Sequence, residues 1–252
     1  MILREIPILL RHGRQSIPDL RKAAPPVHFR GRPMISGEIT PEETDRLVRL
    51  CPVSAIAADP CSIDLGKCVF CRECEFTFPG KIRFTNDYRL ATNDPQRLIV
   101  RSGQDGPIRL DPERIREVIL RTFRHALKLR QVSAGGDNAA EMELNAAGNV
   151  NFDMGRFGIE FVASPRHADG IVITGPISAN MAAALKICYD AVPEPKVVIL
   201  AGSDAISGGL FQNGRAIDRW FPSHIKPDLL VPGNPPHPLT FINGVLDMTG
   251  HP

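Results

Sequence analysis

Gly170-Ile171-Val172-Ile173-Thr174-Gly175 is a short, almost wholly apolar run closed by glycine. A run of that length, rich in β-branched residues and without polar alternation, reads as a strand buried on both faces. Similar runs lie on either side. Gly158-Ile159-Glu160-Phe161-Val162 reads as a strand upstream. Lys196-Val197-Val198-Ile199-Leu200-Ala201-Gly202 and Asp228-Leu229-Leu230-Val231-Pro232-Gly233 read as two more downstream, and Met181 to Tyr189, before the first of these, reads as a helix. Apolar strands alternating with helices imply a parallel sheet covered on both faces, an α/β arrangement. Gly175, Gly202 and Gly233 each follow a strand. The loops Gly175-Pro176, Gly202-Ser203-Asp204 and Gly233-Asn234-Pro235 are therefore expected along one sheet edge, where open α/β sheets bind ligands.

Before about residue 155 the pattern differs. Asp111-Pro112-Glu113 starts a helix: Asp caps it, Pro takes its first position and Glu suits its positive end. Ile115, Val118, Ile119, Phe123 and Leu127 recur at helical spacing, which predicts an amphipathic helix inside a connector over 96–130. Arg114, Arg116, Arg121, Arg124, Lys128 and Arg130 give it a basic face, either solvated or turned to a partner subunit or membrane surface. Residues 36–95 hold short alternating runs such as Lys81-Ile82-Arg83-Phe84-Thr85, and residues 1–35 are basic, Pro-containing and weakly periodic.

The chain has 252 residues, enough for one large or two modest domains. Its net charge of +2 implies no strong polyanion-binding field, and one Trp with two Tyr argues against stacking platforms for nucleic acid. No apolar run is long enough for a membrane-spanning helix. The opening MILREIPILLRHGR lacks the basic start and small-residue cleavage site of a signal peptide, which predicts a cytoplasmic location. No catalytic triad, Walker loop or post-strand GxGxxG occurs, leaving no independent enzymatic activity to propose.

The cysteines are Cys51, Cys61, Cys68, Cys71, Cys74 and Cys188, clustered between Cys51 and Cys74. In a cytosolic chain such clustering points to metal rather than disulfides. Cys68-Val-Phe-Cys71-Arg-Glu-Cys74 has the C-x2-C-x2-C spacing that curls thiolates around one 4Fe–4S cubane. In two-cluster ferredoxins each run continues to a fourth Cys, followed by Pro, that ligates the other cluster. Here that place is Phe78-Pro79. Conversely, Cys51-Pro52 looks like the end of an earlier run whose preceding positions, Leu47, Thr44 and Pro41, cannot ligate iron. One ligand set is lost and the other, Cys51, Cys68, Cys71 and Cys74, is complete. The alternatives are buried free thiols or a zinc site, although zinc prefers separated Cys pairs. Cys61 could replace Cys51 but lacks the following proline, and Cys188, in a helix, reads as a core thiol.

Two resemblances follow. Residues about 29–92, from Phe29-Arg30-Gly31-Arg32-Pro33 through Asp64-Leu65-Gly66-Lys67-Cys68, resemble the ferredoxin-type subunits of complex I and membrane-bound nickel–iron hydrogenases. Residues about 130–250 resemble the small, N2-type cluster subunit of those complexes, as in formate hydrogenlyase/hydrogenase-4 and the 20 kDa subunit of complex I. The carrying motifs are Arg156-Phe157-Gly158-Ile159, Ala163-Ser164-Pro165-Arg166-His167-Ala168-Asp169, Thr174-Gly175-Pro176, Pro193-Glu194-Pro195-Lys196, Ala205-Ile206-Ser207-Gly208-Gly209 and Val231-Pro232-Gly233-Asn234-Pro235-Pro236. The resemblance implies a fusion: a ferredoxin-like module with N-terminal arm over 1–95, the connector over 96–130, and a flavodoxin-like parallel-sheet domain over 131–252. The expected fold class is α+β and α/β.

The same resemblance places the family's four proximal-cluster cysteines on Asp137, Ala140, Asp204 and Asn234. No thiol remains, so a cubane there is not expected. Asp137, Asp204 and Asn234 offer hard oxygens of the kind that hold Mg²⁺ or Ca²⁺, against the simpler reading of a pocket refilled by polar groups and water. Glu141 and Glu143 beside it are expected to be solvated or salt-bridged, and Arg166-His167 to be structural or partner-facing. The resemblance thus implies an electron-transfer subunit with one 4Fe–4S cluster. It would dock a large hydrogenase or 49 kDa-like subunit and reach the inner face of the cell membrane through partners. A non-redox scaffold or assembly subunit, and more weakly a stand-alone redox sensor, are the competing readings.

Overall fold

A computed structural model describes residues 2–13, 15–104 and 106–251. Its strands are β1 (Pro33–Ile35), β2 (Ile56–Ala58), β3 (Cys61–Asp64), β4 (Ile82–Phe84), β5 (Ile99–Arg101), β6 (Leu127–Ser133), β7 (Ile159–Phe161), β8 (Gly170–Thr174), β9 (Val197–Ala201) and β10 (Leu229–Val231). Its α-helices are α1 (Ile2–His12), α2 (Pro41–Leu50), α3 (Glu73–Thr77), α4 (Glu117–Thr122), α5 (Ala139–Ala147), α6 (Ala179–Ala191), α7 (Ser203–Ser207), α8 (Trp220–His224) and α9 (Pro238–Thr249).

The four expected C-terminal strands form, and with β6 they make a five-stranded parallel sheet in the order β10-β9-β8-β6-β7. β8, β9 and β10 are buried along their whole lengths, as a parallel sheet covered on both sides requires. The fold class expected from sequence is therefore present: a flavodoxin-like parallel sheet together with two small antiparallel sheets, β1-β4 and β2-β3-β5.

Side chains alternate across the parallel sheet and so divide the core in two. Ile171, Ile173, Val198, Leu200 and Leu230 face one side, where they join Val53, Ile56, Ile63, Leu65 and Phe70 from the cysteine-bearing segment in one cluster. Val172, Val197, Ile199, Leu229 and Val231 face the other and pack with Phe241, Ile242 and Val245 of α9. The cysteine-bearing segment thus covers one face of the sheet.

The amphipathic helix expected from Asp111 onward is broken. Asp111 does cap, accepting from the Glu113 N–H, but only a 3-10 turn at Pro112–Arg114 follows. The α-helix is confined to α4, and Leu127 begins β6. Leu127 and Leu129 are buried while Lys128 between them is exposed, a period of two. The N-terminal stretch, read as weakly periodic, contains α1.

Backbone carbonyls stitch distant segments together. The Leu20 carbonyl accepts from the Tyr88 hydroxyl at 2.8 Å and from the Asn243 amide at 3.0 Å, and the Tyr88 carbonyl accepts from the Thr240 hydroxyl at 2.8 Å. Among the described residues no helix is long and apolar enough to cross a membrane.

Candidate functional site

α2 opens with a capping box. Thr40 Oγ1 accepts from the Glu43 N–H, and Glu43 Oε2 accepts from the Thr40 N–H at 2.9 Å. Lys81 Nζ lies 2.7 Å from Glu43 Oε1, and this pairing, with the Thr40 N–H, holds the Glu43 carboxyl below the usual range. The helix ends at Cys51, whose N–H reaches the Leu47 carbonyl, and Pro52 prevents continuation. Ser54 then takes φ +48°, which swings the Ala55 N–H onto Cys51 Sγ at 3.2 Å.

The second stretch leaves β3 through a turn in which Asp64 Oδ1 accepts from the Gly66 N–H. Phe70 and Arg72 both adopt positive φ, +54° and +69°. Such conformations are costly for residues with a Cβ and persist where surroundings impose them. The Phe70 N–H donates to Cys68 Sγ at 3.3 Å. Cys71 follows, and α3 carries Cys74.

Cys51, Cys68, Cys71 and Cys74 line one pocket, walled by Leu47, Val53, Ala55, Ile63, Val69 and Phe84. Cys68 is buried and the other three are half-buried, so the pocket has an inner and an outer side. Burial and then the neighbouring cysteines push the Cys74 thiol up to about 12, and Cys68 is raised more strongly for the same reasons. A thiol raised in this way stays neutral on its own, and four thiolates in an apolar pocket would need a cationic centre to offset their charge. The donor set, the two N–H···S bonds and the apolar wall all fit a cubane. No three His, Cys, Asp or Glu side chains among the described residues converge as a single ion would need; cubane ligands span a cluster instead.

Cys61, at the start of β3, does not line the pocket; burial raises its thiol, and Thr44 hydrogen-bonds it. Cys188 on α6 is half-buried and hydrogen-bonded to Arg130.

The loops after β8, β9 and β10 meet at the carboxyl edge of the sheet. Asp137, Ala140, Asp204 and Asn234 line one small pocket there. Asn234 Nδ2 donates to Asp204 Oδ1 at 3.2 Å. Burial, then the charge of Asp137, raises the Asp204 carboxyl above its usual range, and the Asn234 bond opposes this. Asp137 Oδ1 accepts from the Ala139 N–H in a local turn. With no sulfur, a methyl group at Ala140 and an amide already bonded at Asn234, these residues do not fit a cubane. Gly175 stands at φ +78°, and a Cβ there would lie 2.6 Å from the Gly136 nitrogen, so the walls approach too closely for any side chain.

Glu141 is not solvated as expected: it is buried, and the Thr174 hydroxyl donates to it at 2.6 Å. Glu143 is half-buried, its carboxyl raised by burial, and lines a separate cleft with His28, Arg30 and His237. Arg166 and His167 are exposed in a 3-10 turn. Sequence reading missed Ser203: its hydroxyl, fully buried beside Asp204, donates to the Cys68 carbonyl at 2.6 Å and joins the two pockets. It also missed His237, which caps α9 by accepting from the Leu239 N–H.

The sequence profile described as "NADH ubiquinone oxidoreductase, 20 Kd subunit" matches residues 138–248. The chain is 43% identical over 105 residues to an NADH-quinone oxidoreductase subunit of Desulfovibrio desulfuricans, covering 42% of this chain and 57% of that protein. It is 35% identical over 115 residues to a probable membrane-bound hydrogenase subunit of Pyrococcus furiosus, covering 46% of this chain and 69% of that protein. A chain in the solved structure of an archaeal membrane-bound sulfane sulfur reductase aligns with TM-score 0.46 and 24% identity, covering 53% of this chain and 73% of that one. The profile begins after the cysteine-bearing segment and spans the part of the parallel-sheet domain that carries Ala140, Asp204 and Asn234. On the extent of the Pyrococcus relative, the chain belongs to the family of the 20 kDa subunit of NADH:ubiquinone oxidoreductase.

Proposed function

We propose that this chain is an iron–sulfur electron-transfer subunit of a complex I-like or membrane-bound hydrogenase-like oxidoreductase, carrying a single 4Fe–4S cluster on Cys51, Cys68, Cys71 and Cys74. The observation that carries the reading is the meeting of these four thiols in one apolar pocket, with backbone N–H groups aimed at two of the sulfurs. When bound, the cubane supplies one-electron transfer. The chain's own groups do the rest. The cysteines hold the iron, Ala55 and Phe70 N–H groups offset negative charge on sulfur, and the apolar wall keeps water out.

In this reading residues 1–95 form a ferredoxin-type module, 96–130 a connector whose last residues, from Leu127, already enter β6, and 131–252 the family domain. The partners are a large hydrogenase or 49 kDa-like subunit and further subunits of the complex, through which the chain lies at the inner face of the membrane. The carboxyl-edge pocket carries no cluster, so electrons enter and leave through the cysteine pocket alone. The competing reading, a scaffold or assembly subunit, is favoured by that same pocket, whose Asn234–Asp204 bond replaces ligands with a polar contact.

Iron and labile sulfide per chain, measured anaerobically on the assembled protein, test the assignment. About four irons with a reducible EPR signal is the expected result for one cubane. Absence of iron would overturn it, and about eight irons would overturn the statement that the carboxyl-edge pocket is empty of cluster. Cys71→Ser is expected to abolish the signal. Redox turnover of the complex that survives this loss would establish the scaffold reading instead.

A further inference from the structure

β5 is the outer strand of its sheet. Beside it lies an open groove lined by Arg97, Ile99, Arg101, Gln104, Ile108 and Arg109, where Arg97 Nη1 also donates to the carbonyls of Arg109 at 3.3 Å and Leu110 at 3.1 Å. The Leu65 N–H bonds the Leu98 carbonyl, and the register sets Ile63 opposite Val100. Antiparallel pairing alternates, so Val100 directs its backbone groups to β3 while those of Ile99 and Arg101 point away. The Ile99 N–H is taken by the Gln96 carbonyl, and the Arg101 carbonyl by the Gln104 N–H. The Ile99 carbonyl and Arg101 N–H have no partner among the described residues. An edge of this kind is a template for a further strand.

Every charged side chain that lines the groove among the described residues is an arginine. No carboxylate lines it among the described residues. Arg101 and Arg109 form no ion pair among those residues, and Arg97 has only loose ones, at 3.9 Å to Asp94 and 3.8 Å to Asp111. Buried Arg32, which also lines the groove, holds it in shape: its Nη1 donates to the carbonyls of Gln104 at 2.9 Å and Gly106 at 2.7 Å.

We propose that this groove docks an extended acidic peptide segment of a partner protein. The segment adds to the open edge of β5 and sets carboxylates against Arg97, Arg101 and Arg109. Guanidinium forks match carboxylates bidentately, and strand addition draws affinity from main-chain bonds and specificity from alternate side chains. Half-buried Ile99 and Ile108 between the arginines favour a peptide over a compact anion, because alternate apolar side chains can cover them. The proposal does not depend on the cluster.

A labelled Glu-Val-Glu-Val-Glu-Val-Glu-Val peptide, titrated against the full chain by fluorescence anisotropy, tests it. Saturable binding is expected, weakening as salt rises and absent for the Lys-Val counterpart. R101E/R109E is expected to lower affinity at least about tenfold with an unchanged circular dichroism spectrum. Should charge reversal impair folding, R109Q alone must still weaken binding. No saturable binding, or equal affinity in the variants, overturns the proposal. Undiminished binding of a peptide N-methylated at alternate residues overturns the strand addition. Binding of phosphatidylglycerol vesicles without binding of the peptide reassigns the groove to a lipid surface and overturns it as well.

Discussion

The Ser203 hydroxyl and the Cys68 carbonyl, 135 positions apart, meet at 2.6 Å with both residues buried. The bond ties the first residue of α7, beside the carboxyl-edge pocket, to the inner cysteine of the other pocket. Removing one partner of a buried hydrogen bond leaves the other unsatisfied, a cost of about 1–3 kcal/mol. Ser203→Ala is expected to lower unfolding stability by that amount in a urea titration. A loss below about 0.5 kcal/mol would mean that water takes over the Cys68 carbonyl.

His237 gives a pH dependence with a definite sign. Burial holds its pKa down to about 4 from an ordinary 6.5, and its Nδ1 must stay unprotonated to accept from the Leu239 N–H. The unfolded chain therefore takes up the proton first as pH falls. The contribution of His237 is complete above 6.5 and is lost as pH drops toward 4, at up to about 1.4 kcal/mol per pH unit. His237→Asn keeps a capping acceptor without a titrating ring. Thermal melts over that window should be flatter for the variant than for the parent; equal slopes would exclude His237 as the cause.

Asp204 has the opposite sign. Its folded pKa is raised, so the native state favours the proton, and stability is lost as pH rises from the ordinary 3.8 through the folded value. Asp204→Asn removes the charge and keeps an oxygen to accept from Asn234. The variant should melt higher than the parent at pH 7, with the gap closing toward pH 4. A lower melting temperature at pH 7 would show that the carboxylate stabilises the pocket after all.

β8, β9 and β10 were legible because each is a short apolar run ended by glycine, and β7 because Ile159, Phe161 and Val162 make a short apolar run behind Gly158. β6 was not, because helical spacing from Ile115 to Leu127 reads straight through the break after α4. The period-two signal of Leu127, Lys128 and Leu129 was present but short. The cysteine spacing identified four residues that line one pocket, and matching the family motif identified four that line the other. What spacing cannot carry is direction. That Cys68 faces inward, that Glu141 turns away from solvent to Thr174, and that Ser203 reaches Cys68 all depend on the sheet and the cysteine-bearing segment sharing one core.

The Leu20 carbonyl waits for Asn243, 223 positions later, before its second hydrogen bond can form. At ribosomal speeds of about 5–20 residues per second, that separation is roughly 10–45 s of synthesis. Cys68, Cys71 and Cys74 emerge early in that interval, and the Ser203 that will cover the innermost of them comes much later. Translation therefore leaves a period in which the cysteine loop is made but uncovered, and insertion of the cluster proposed for it would fall in that period.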